Sequence, residues 1–132
     1  QWLFFEVAGR MVTGEVSLEV AGDVGLVSST TLTEQLGALL AERENGIVML
    51  HVSMRKVGPV ASGAAGLLEA LRGVVGARGT LLMVLCADES EPFDALSTPV
   101  DTADMSVFAE VFRTTSGVRV NDHAADRFAA LG

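Results

Sequence analysis

Two short apolar runs, at residues 47–52 and 80–86, constrain the fold of this chain more than any other feature. Each run has the length of a buried β-strand, and the segment between them opens at Ser62-Gly63 with apolar residues at helical spacing. A strand, a helix and a second strand in succession predict a right-handed crossover with parallel pairing of the two strands. The predicted helical stripe consists of Leu67, Leu68, Leu71, Val74 and Val75.

The preceding residues extend this alternation of strands and helices. Residues 15–20 alternate apolar and charged or polar side chains, as a half-buried strand does, and they follow a first predicted strand at 3–7. Thr31 and Glu34 have the spacing of a capping box and predict the start of an amphipathic helix that ends at Asn45-Gly46.

The last third of the chain predicts a loop, two helices and a short strand. Residues 87–105 show no sustained period and predict a long acidic loop, and residues 107–112 then repeat apolar side chains at helical spacing, with Gly117 as the cap. Residues 118–120 predict a strand. Asn121 or Asp122 is expected to cap a final helix whose inward side chains are Ala124, Phe128 and Leu131.

The order of elements predicts an α/β fold. We expect residues 1–132 to form one domain, with a mixed, mostly parallel β-sheet of about five strands and about four helices. A chain of this length buries a sizeable core without disulfides or structural metals.

Charge and composition exclude several classes of function. The formal net charge of -8 opposes binding to DNA or RNA, since that affinity comes largely from Lys and Arg. Cys86 is the only cysteine, which excludes an internal disulfide and a cysteine-rich zinc site. The acidic residues of the predicted loop form either a solvated surface or a docking edge for a basic partner; they are Asp88, Glu89, Glu91, Asp94, Asp101 and Asp104.

Nothing in the sequence predicts insertion into a membrane. No uninterrupted apolar run approaches the roughly 18 residues that span a bilayer. The apolar start at Trp2 lacks a preceding basic region and a following small-residue cleavage site, so we expect a cytoplasmic protein. An exposed Trp2 would instead indicate a contact with a partner or within a homodimer.

Catalytic motifs are incomplete in this sequence. His51 and His123 have no metal-ligand spacing and are interpreted as structural histidines. Ser62 lacks the glycines of a nucleophile elbow, because Val60 and Ala64 occupy those positions. The small-residue stretch 58–66 has the composition of an anion cradle but no Walker lysine. We therefore expect no catalytic residue, metal or cofactor.

Four segments in order resemble the STAS domain, the fold of anti-sigma factor antagonists and of the cytoplasmic tails of sulfate transporters. Residues 16–26 are similar to the second strand and turn of that family, and residues 47–53 to the strand that usually ends Asp-Leu-Ser. Residues 60–68 take the place of its Asp-Ser-Ser-Gly-Leu-Gly segment, and residues 111–120 that of its Leu-x-x-x-Gly-Leu segment and the following strand.

The resemblance implies a regulatory domain that binds a partner such as an anti-sigma factor or a serine kinase. It also implies a phosphoswitch, although Ala61 stands at the usual phosphoacceptor position and leaves Ser62 as the candidate phosphosite or a simple helix cap. The partner-binding residues that it implies are Gly25, Ser28, Ser29, Val60, Ala61, Ser62 and Gly63.

Two alternatives to this regulatory role remain open. One is a STAS subunit of a larger lipid-transport or signalling assembly, which needs no phosphoacceptor. The other is a small enzyme that acts on an acyl-thioester or binds a nucleotide, in which backbone donors of the glycine-rich turn at 58–66 would stabilise developing negative charge. We rank the enzyme last, because no general base is expected near that turn.

Overall fold

The computed structural model describes residues 4–7, 10–12, 26–40, 45–87, 92–123 and 127–132. Within these ranges six strands form one sheet, in the order β2-β1-β3-β4-β6-β5. Five helices are described with it. The strands are β1 (Phe4–Val7), β2 (Arg10–Val12), β3 (Ile47–His51), β4 (Thr80–Val84), β5 (Arg119–Val120) and β6 (Phe128–Leu131). The helices are α1 (Ser29–Leu40), α2 (Met54–Val57), α3 (Gly63–Val75), α4 (Thr102–Met105) and α5 (Val107–Thr114).

The α/β class is confirmed, but the prediction of a mostly parallel sheet is wrong. Only β3 and β4 pair in parallel among the described strands, and the other four pairs are antiparallel. The parallel pair is the one that the crossover through α3 requires. The predicted strand at 15–20 lies outside the described residues.

One face of the sheet is packed against the helices. Alternate residues of β3, β4 and β6 point to that face, as the period of a strand dictates, and their registers align them in rows. One row joins Val48, Leu81 and Leu131, all of them buried. Helix α3 packs between α1 and α5 and contacts β4, so the buried leucines of these helices complete the core.

Helix α1 begins earlier than the capping box predicted. The helix starts at Ser29, and the Thr31 amide donates to the Ser28 hydroxyl at 3.2 Å. Ser28 therefore acts as the cap, and the prediction of a capping box that starts at Thr31 is wrong. The apolar face is confirmed in Leu32, Leu36 and Leu40, which are all buried.

Helix α3 begins at Gly63 as predicted and ends at Val75, with Gly76 at the cap position. Ser62 and Gly63 both have left-handed backbone angles, with φ of 62° and 59°. This turn lets the chain reverse from the edge of the sheet into the helix. Ser62 holds the cap position, yet its side chain makes no capping hydrogen bond.

The predicted final helix is wrong, because residues 128–131 form the strand β6. The spacing of Phe128 and Leu131 fits a helix, but pairing with β4 satisfies the backbone and buries Ala129 and Leu131 on the packed face. Ala124, expected in that helix, lies outside the described residues.

The segment predicted as a long acidic loop is partly regular. Residues 88–91 lie outside the description, but 92–100 form a turn-rich loop and α4 follows it. Asp94 organises this loop: its Oδ1 accepts the amide and the hydroxyl of Ser97 at 2.8 and 2.7 Å. These bonds, the Ser97 hydroxyl first, lower the pKa of Asp94 below its ordinary value.

Across the described ranges, no helix is long and apolar enough to cross a membrane.

Gly66 and Gly73, two of the three glycines of α3, provide a matched test of this packing. A Cβ on Gly66 would lie 2.0 Å from the carbonyl oxygen of Ala61, whereas a Cβ on Gly73 would meet nothing within 4 Å. We expect Gly66→Ala to destabilise the fold, and Gly73→Ala to stabilise it by up to about 1 kcal/mol through helix propensity. Urea unfolding of both variants measures the difference, and equal effects would contradict the packing described.

Candidate functional site

A cleft of about 370 Å³ lies where β3 ends, between the turn into α2 and the helices α4 and α5. In α/β folds ligands bind beyond the carboxyl ends of parallel strands, and β3 is one member of the parallel pair. The residues that line the cleft come from two separate parts of the chain. The first part supplies His51, Val52, Ser53, Met54 and Arg55, and the second supplies Thr102, Ala103, Asp104, Ser106 and Val107.

Ser106 joins the two parts of the cleft. Its hydroxyl oxygen accepts the amide of Phe108 at 3.2 Å, which caps α5, and the amide of Met54 at 3.4 Å, which begins α2. The residue has φ of 76°, an uncommon angle for a side chain other than glycine. Such a conformation persists only where its surroundings hold it, and here it turns the chain from α4 into α5.

Helix α4 is fixed to the end of β4. The Asp101 amide donates to the carbonyl of Cys86 at 2.9 Å, and the Asp101 carboxylate accepts the amide of Ala103 at 2.9 Å. The first bond anchors the chain to the sheet, and the second caps the helix. Thr102 and Asp104 are thereby held along one wall of the cleft.

Glu110 of α5 binds the chain just before this wall. Its Oε2 accepts the amide of Val100 at 2.8 Å and the Nε of Arg113 at 3.0 Å, and its Oε1 accepts Nη2 of Arg113. The Arg113 bond is the main cause that lowers the pKa of Glu110, and it outweighs the effect of partial burial. Arg113 also donates to the carbonyl of Leu96, so the pair ties α5 to the 92–100 loop.

The cleft presents groups that suit an anionic ligand with polar substituents. The residues that line it include three that carry hydroxyls, Ser53, Thr102 and Ser106. Arg55, His51 and Asp104 are the lining residues that can carry a charge. Arginine and hydroxyl donors are typical ligands of phosphate groups. The described residues contain no cluster of three or more metal-ligating side chains, so the arrangement gives no support to a metal centre.

A second cleft of about 350 Å³ lies at the C-terminal end of α3. Its charged residues, Glu69 and Arg72, are joined by an ion pair at 3.2 Å, and glycines supply much of the remaining surface. It faces the start of β4 rather than the carboxyl end of β3. We therefore assign the candidate site to the cleft beside His51.

The structure brings together most of the residues expected to bind a partner, but away from this cleft. The Val27 amide donates to Pro59 and the Ala61 amide to Val27, both at 2.8 Å, so the Ser28–Ser29 segment lies beside the α3 turn. Val60 is buried in this contact, while Ser28, Ser29, Ser62 and Gly63 are exposed. Gly25 lies outside the described residues. Phosphorylation of Ser62 stays a prediction.

Sequence reasoning missed the site itself. His51, interpreted as a structural histidine, is exposed and lines the cleft. Its position at the end of the predicted strand 47–52 was a usable signal, because strand ends carry the sites of α/β folds. Asp104 gave no such signal, since the 87–105 segment was predicted to have no regular structure, and Ser106 follows directly after that segment.

Comparison with known proteins gives a consistent result. A sequence profile of the family described as aminoglycoside 3-N-acetyltransferase matches residues 49–132. Aminoglycoside N(3)-acetyltransferase IV of Salmonella is 37% identical over 75% of this chain and 38% of its own length. The chain therefore spans well under half of that relative.

Solved structures agree with the sequence matches. A histidine-to-alanine variant of aminoglycoside acetyltransferase AAC(3)-IVa in complex with apramycin matches with a TM-score of 0.75 and 35% identity, over 84% of this chain and 45% of that one. The binary complex of AAC-IIIb with CoASH matches with a TM-score of 0.69 and 26% identity, over 82% and 47%.

These matches overturn the predicted STAS resemblance and the function and partners that it implied. The four segments that carried it are features of strand–helix–strand units in general, and the matched family has another function. The predictions of a regulatory protein, of an anti-sigma factor or kinase partner, of a STAS assembly subunit and of a non-enzyme are all wrong. The acyl-thioester enzyme, ranked last, is closest in chemistry to the matched family.

The Glu110 support gives a pH-dependent prediction. Because the folded-state pKa of Glu110 is lowered from 4.5, its contribution to stability is complete above that pH and is lost as pH falls through the folded-state pKa. We expect Glu110→Gln to lower the free energy of unfolding by roughly 1–2 kcal/mol at neutral pH, and the difference from the parent to shrink in acid.

Glu69→Gln is the matched control, because Glu69 pairs with Arg72 at the same spacing but on the exposed surface. Its effect should stay within about 0.5 kcal/mol. Urea unfolding from neutral pH to about pH 3 measures both variants. A Glu110→Gln effect as small as the control, or one that grows in acid, would count against the described support.

Proposed function

Because this chain belongs to the aminoglycoside 3-N-acetyltransferase family, we propose that it contributes to transfer of an acetyl group from a coenzyme A thioester to an aminoglycoside amine. Within that reaction we assign the cleft beside His51 to the coenzyme A moiety. The assignment concerns this cleft alone and holds whether or not the complete reaction takes place on this chain, which spans 38% of its Salmonella relative.

One observation carries the proposal: this cleft lies beyond the carboxyl end of β3, a strand of the parallel pair, whereas the second cleft, which also falls within the matched range 49–132, lies at the start of β4. The similarity to AAC-IIIb, whose structure contains CoASH, supports coenzyme A as the ligand class.

The chemistry of the cleft supports the same assignment. Coenzyme A carries a diphosphate, which needs positive charge and hydrogen-bond donors. Arg55 offers a guanidinium on one wall, and the hydroxyls of Ser53 and Thr102 offer donors on both walls. A cleft of about 370 Å³ encloses a diphosphate with part of the pantetheine arm, and leaves the rest of so large a ligand outside.

Acetyl transfer requires that the donor and the acceptor be held together while bonds are exchanged between them. The amine nitrogen attacks the thioester carbonyl carbon, the C–N bond forms, the C–S bond breaks, and the proton lost by the amine ends on the thiol of coenzyme A. Holding the donor so that its carbonyl meets the amine lowers the barrier by removing translational and rotational freedom. In our proposal the cleft residues bind and orient the donor, and no residue of this chain is assigned as the base.

The net charge suits the acceptor substrate. Aminoglycosides are polycations, and the formal charge of -8 attracts them at long range. Asp104 places one carboxylate at the cleft, on the α4 wall. The cytoplasmic location expected from the sequence remains a prediction.

Calorimetric titration with CoASH tests the assignment of the cleft. We expect Arg55→Ala to weaken binding about tenfold, which corresponds to about 1.4 kcal/mol for loss of one charge-assisted contact. Arg72→Ala is the matched control, because Arg72 is an exposed arginine of the other cleft. A loss of affinity in Arg72→Ala with none in Arg55→Ala would place CoASH in the second cleft and contradict the proposal.

Acetyl transfer is tested directly by incubating the chain with acetyl-coenzyme A and gentamicin. Mass spectrometry of the antibiotic and detection of free thiol measure the two products, and we expect both to rise together. Thiol release without an acetylated antibiotic would show hydrolysis. CoASH binding without either product would confirm the cleft but deny the complete reaction to this chain.

A further inference from the structure

Arg127 is the largest fully buried side chain in the described part of the structure, with no exposed surface. A buried guanidinium is costly unless its donors are satisfied. The ion pairs found in the described ranges do not include it. The burial of this charged side chain is therefore not explained by the apolar core, by an ion pair in the described ranges or by the cleft.

Backbone carbonyls of the 92–100 loop accept hydrogen bonds from both terminal nitrogens of this side chain, whereas its Nε has no hydrogen-bond partner among the described residues. Nη1 donates to the carbonyl of Thr98 at 2.7 Å and to that of Ala95 at 3.4 Å, and Nη2 donates to Pro99 at 3.4 Å. The guanidinium carbon also lies 5.4 Å from the centre of the Phe93 ring, within range of a cation–π interaction. One side chain thus contacts residues across most of the loop.

The backbone of Arg127 is fixed to the sheet on the other side. The Leu85 amide donates to the Arg127 carbonyl at 2.8 Å, which continues the β4–β6 pairing. The residue therefore connects a rigid strand to a loop that has no strand or helix of its own. Arginine suits this place, because its planar fork reaches several acceptors at once and a lysine ammonium does not.

The loop leads directly into the wall of the cleft. Pro99 is followed by Val100, whose amide binds Glu110, and by Asp101, whose amide binds the end of β4. Helix α4 begins at the next residue and supplies Thr102 and Asp104 to the cleft. Any shift of the loop is consequently transmitted to α4.

We propose that Arg127 is a positioning residue, which sets the place of the α4 wall of the cleft by holding the 92–100 loop against the sheet. The inference has two parts. The effect on ligand binding, its ligand arm, rests on the proposed function, whereas the effect on the loop and α4, its conformational arm, does not. No contact between Arg127 and a ligand is implied. Its effect on the cleft passes through the loop carbonyls and Asp101.

Hydrogen exchange on the full chain without ligand tests the conformational arm. In Arg127→Met, which keeps the length of the side chain but removes its donors, we expect the amides of Thr98, Asp101 and Met105 to exchange roughly tenfold faster or more. Arg127→Lys should restore part of the protection. Arg119→Met, the same change at an exposed arginine of β5, should leave these amides within about twofold of the parent.

CoASH titration of the same variants tests the ligand arm. We expect Arg127→Met to weaken CoASH binding several-fold, Arg127→Lys to recover part of that loss, and Arg119→Met to have no effect. If the parent chain does not bind CoASH, the proposed function fails, but the exchange result still decides the positioning role. Unchanged exchange of the 98–105 amides in Arg127→Met would overturn the inference.

A measurement on the parent protein covers the case in which Arg127→Met does not fold. In protein labelled with ¹⁵N-arginine, a guanidinium held by three carbonyls should give separate, slowly exchanging Nη signals. The exposed Arg119 should give averaged signals. Averaged signals from Arg127 would mean that the side chain rotates freely, which would contradict its positioning role.

Discussion

Parallel pairing of β3 with β4 is the constraint on which the rest of the structure depends. Two parallel neighbours need a crossover, and α3 provides it by packing between α1 and α5 above the buried face of the sheet. The same geometry brings the carboxyl end of β3 to the edge where α2, α4 and α5 meet. The candidate site is therefore a consequence of the strand pairing, and His51 reaches it because it is the last residue of β3.

Side-chain to backbone hydrogen bonds then give this edge its shape. Ser106 joins the starts of two helices, Glu110 receives the Val100 amide, and Arg127 binds the carbonyls of the preceding loop. Each of these bonds satisfies a backbone group that no helix or strand satisfies. Together with Asp94, Asp101 and Arg113, these side chains hold the segment from 92 to 106, whose last part, α4 and Ser106, forms one wall of the cleft.

Sequence patterns predicted those strands and helices that are marked by the spacing of apolar residues close together in the chain. The strands β3 and β4 and the helices α3 and α5 were expected near their observed places, since apolar runs and 3.6-residue spacing are read from neighbouring residues. The strand β6 was missed because its few residues fit a helix equally well until β4 is present to pair with them. The α4 wall was missed for a related reason: Asp101 and Ser106 act through contacts with distant residues.

The STAS resemblance failed because its motifs describe a turn, a strand end and a helix start, which many α/β proteins share. Prediction of the site required the carboxyl end of β3 to be recognised first. His51 lies at that end, but no other residue of the cleft could be assigned to the same place from the sequence. The central claim is that this edge binds coenzyme A. Hydrogen exchange with and without saturating CoASH tests it most directly: we predict slower exchange at the Met54 and Phe108 amides and no change at the Gly76 and Gly79 amides of the other cleft. Protection at Gly76 and Gly79, with none at Met54 and Phe108, would contradict the account.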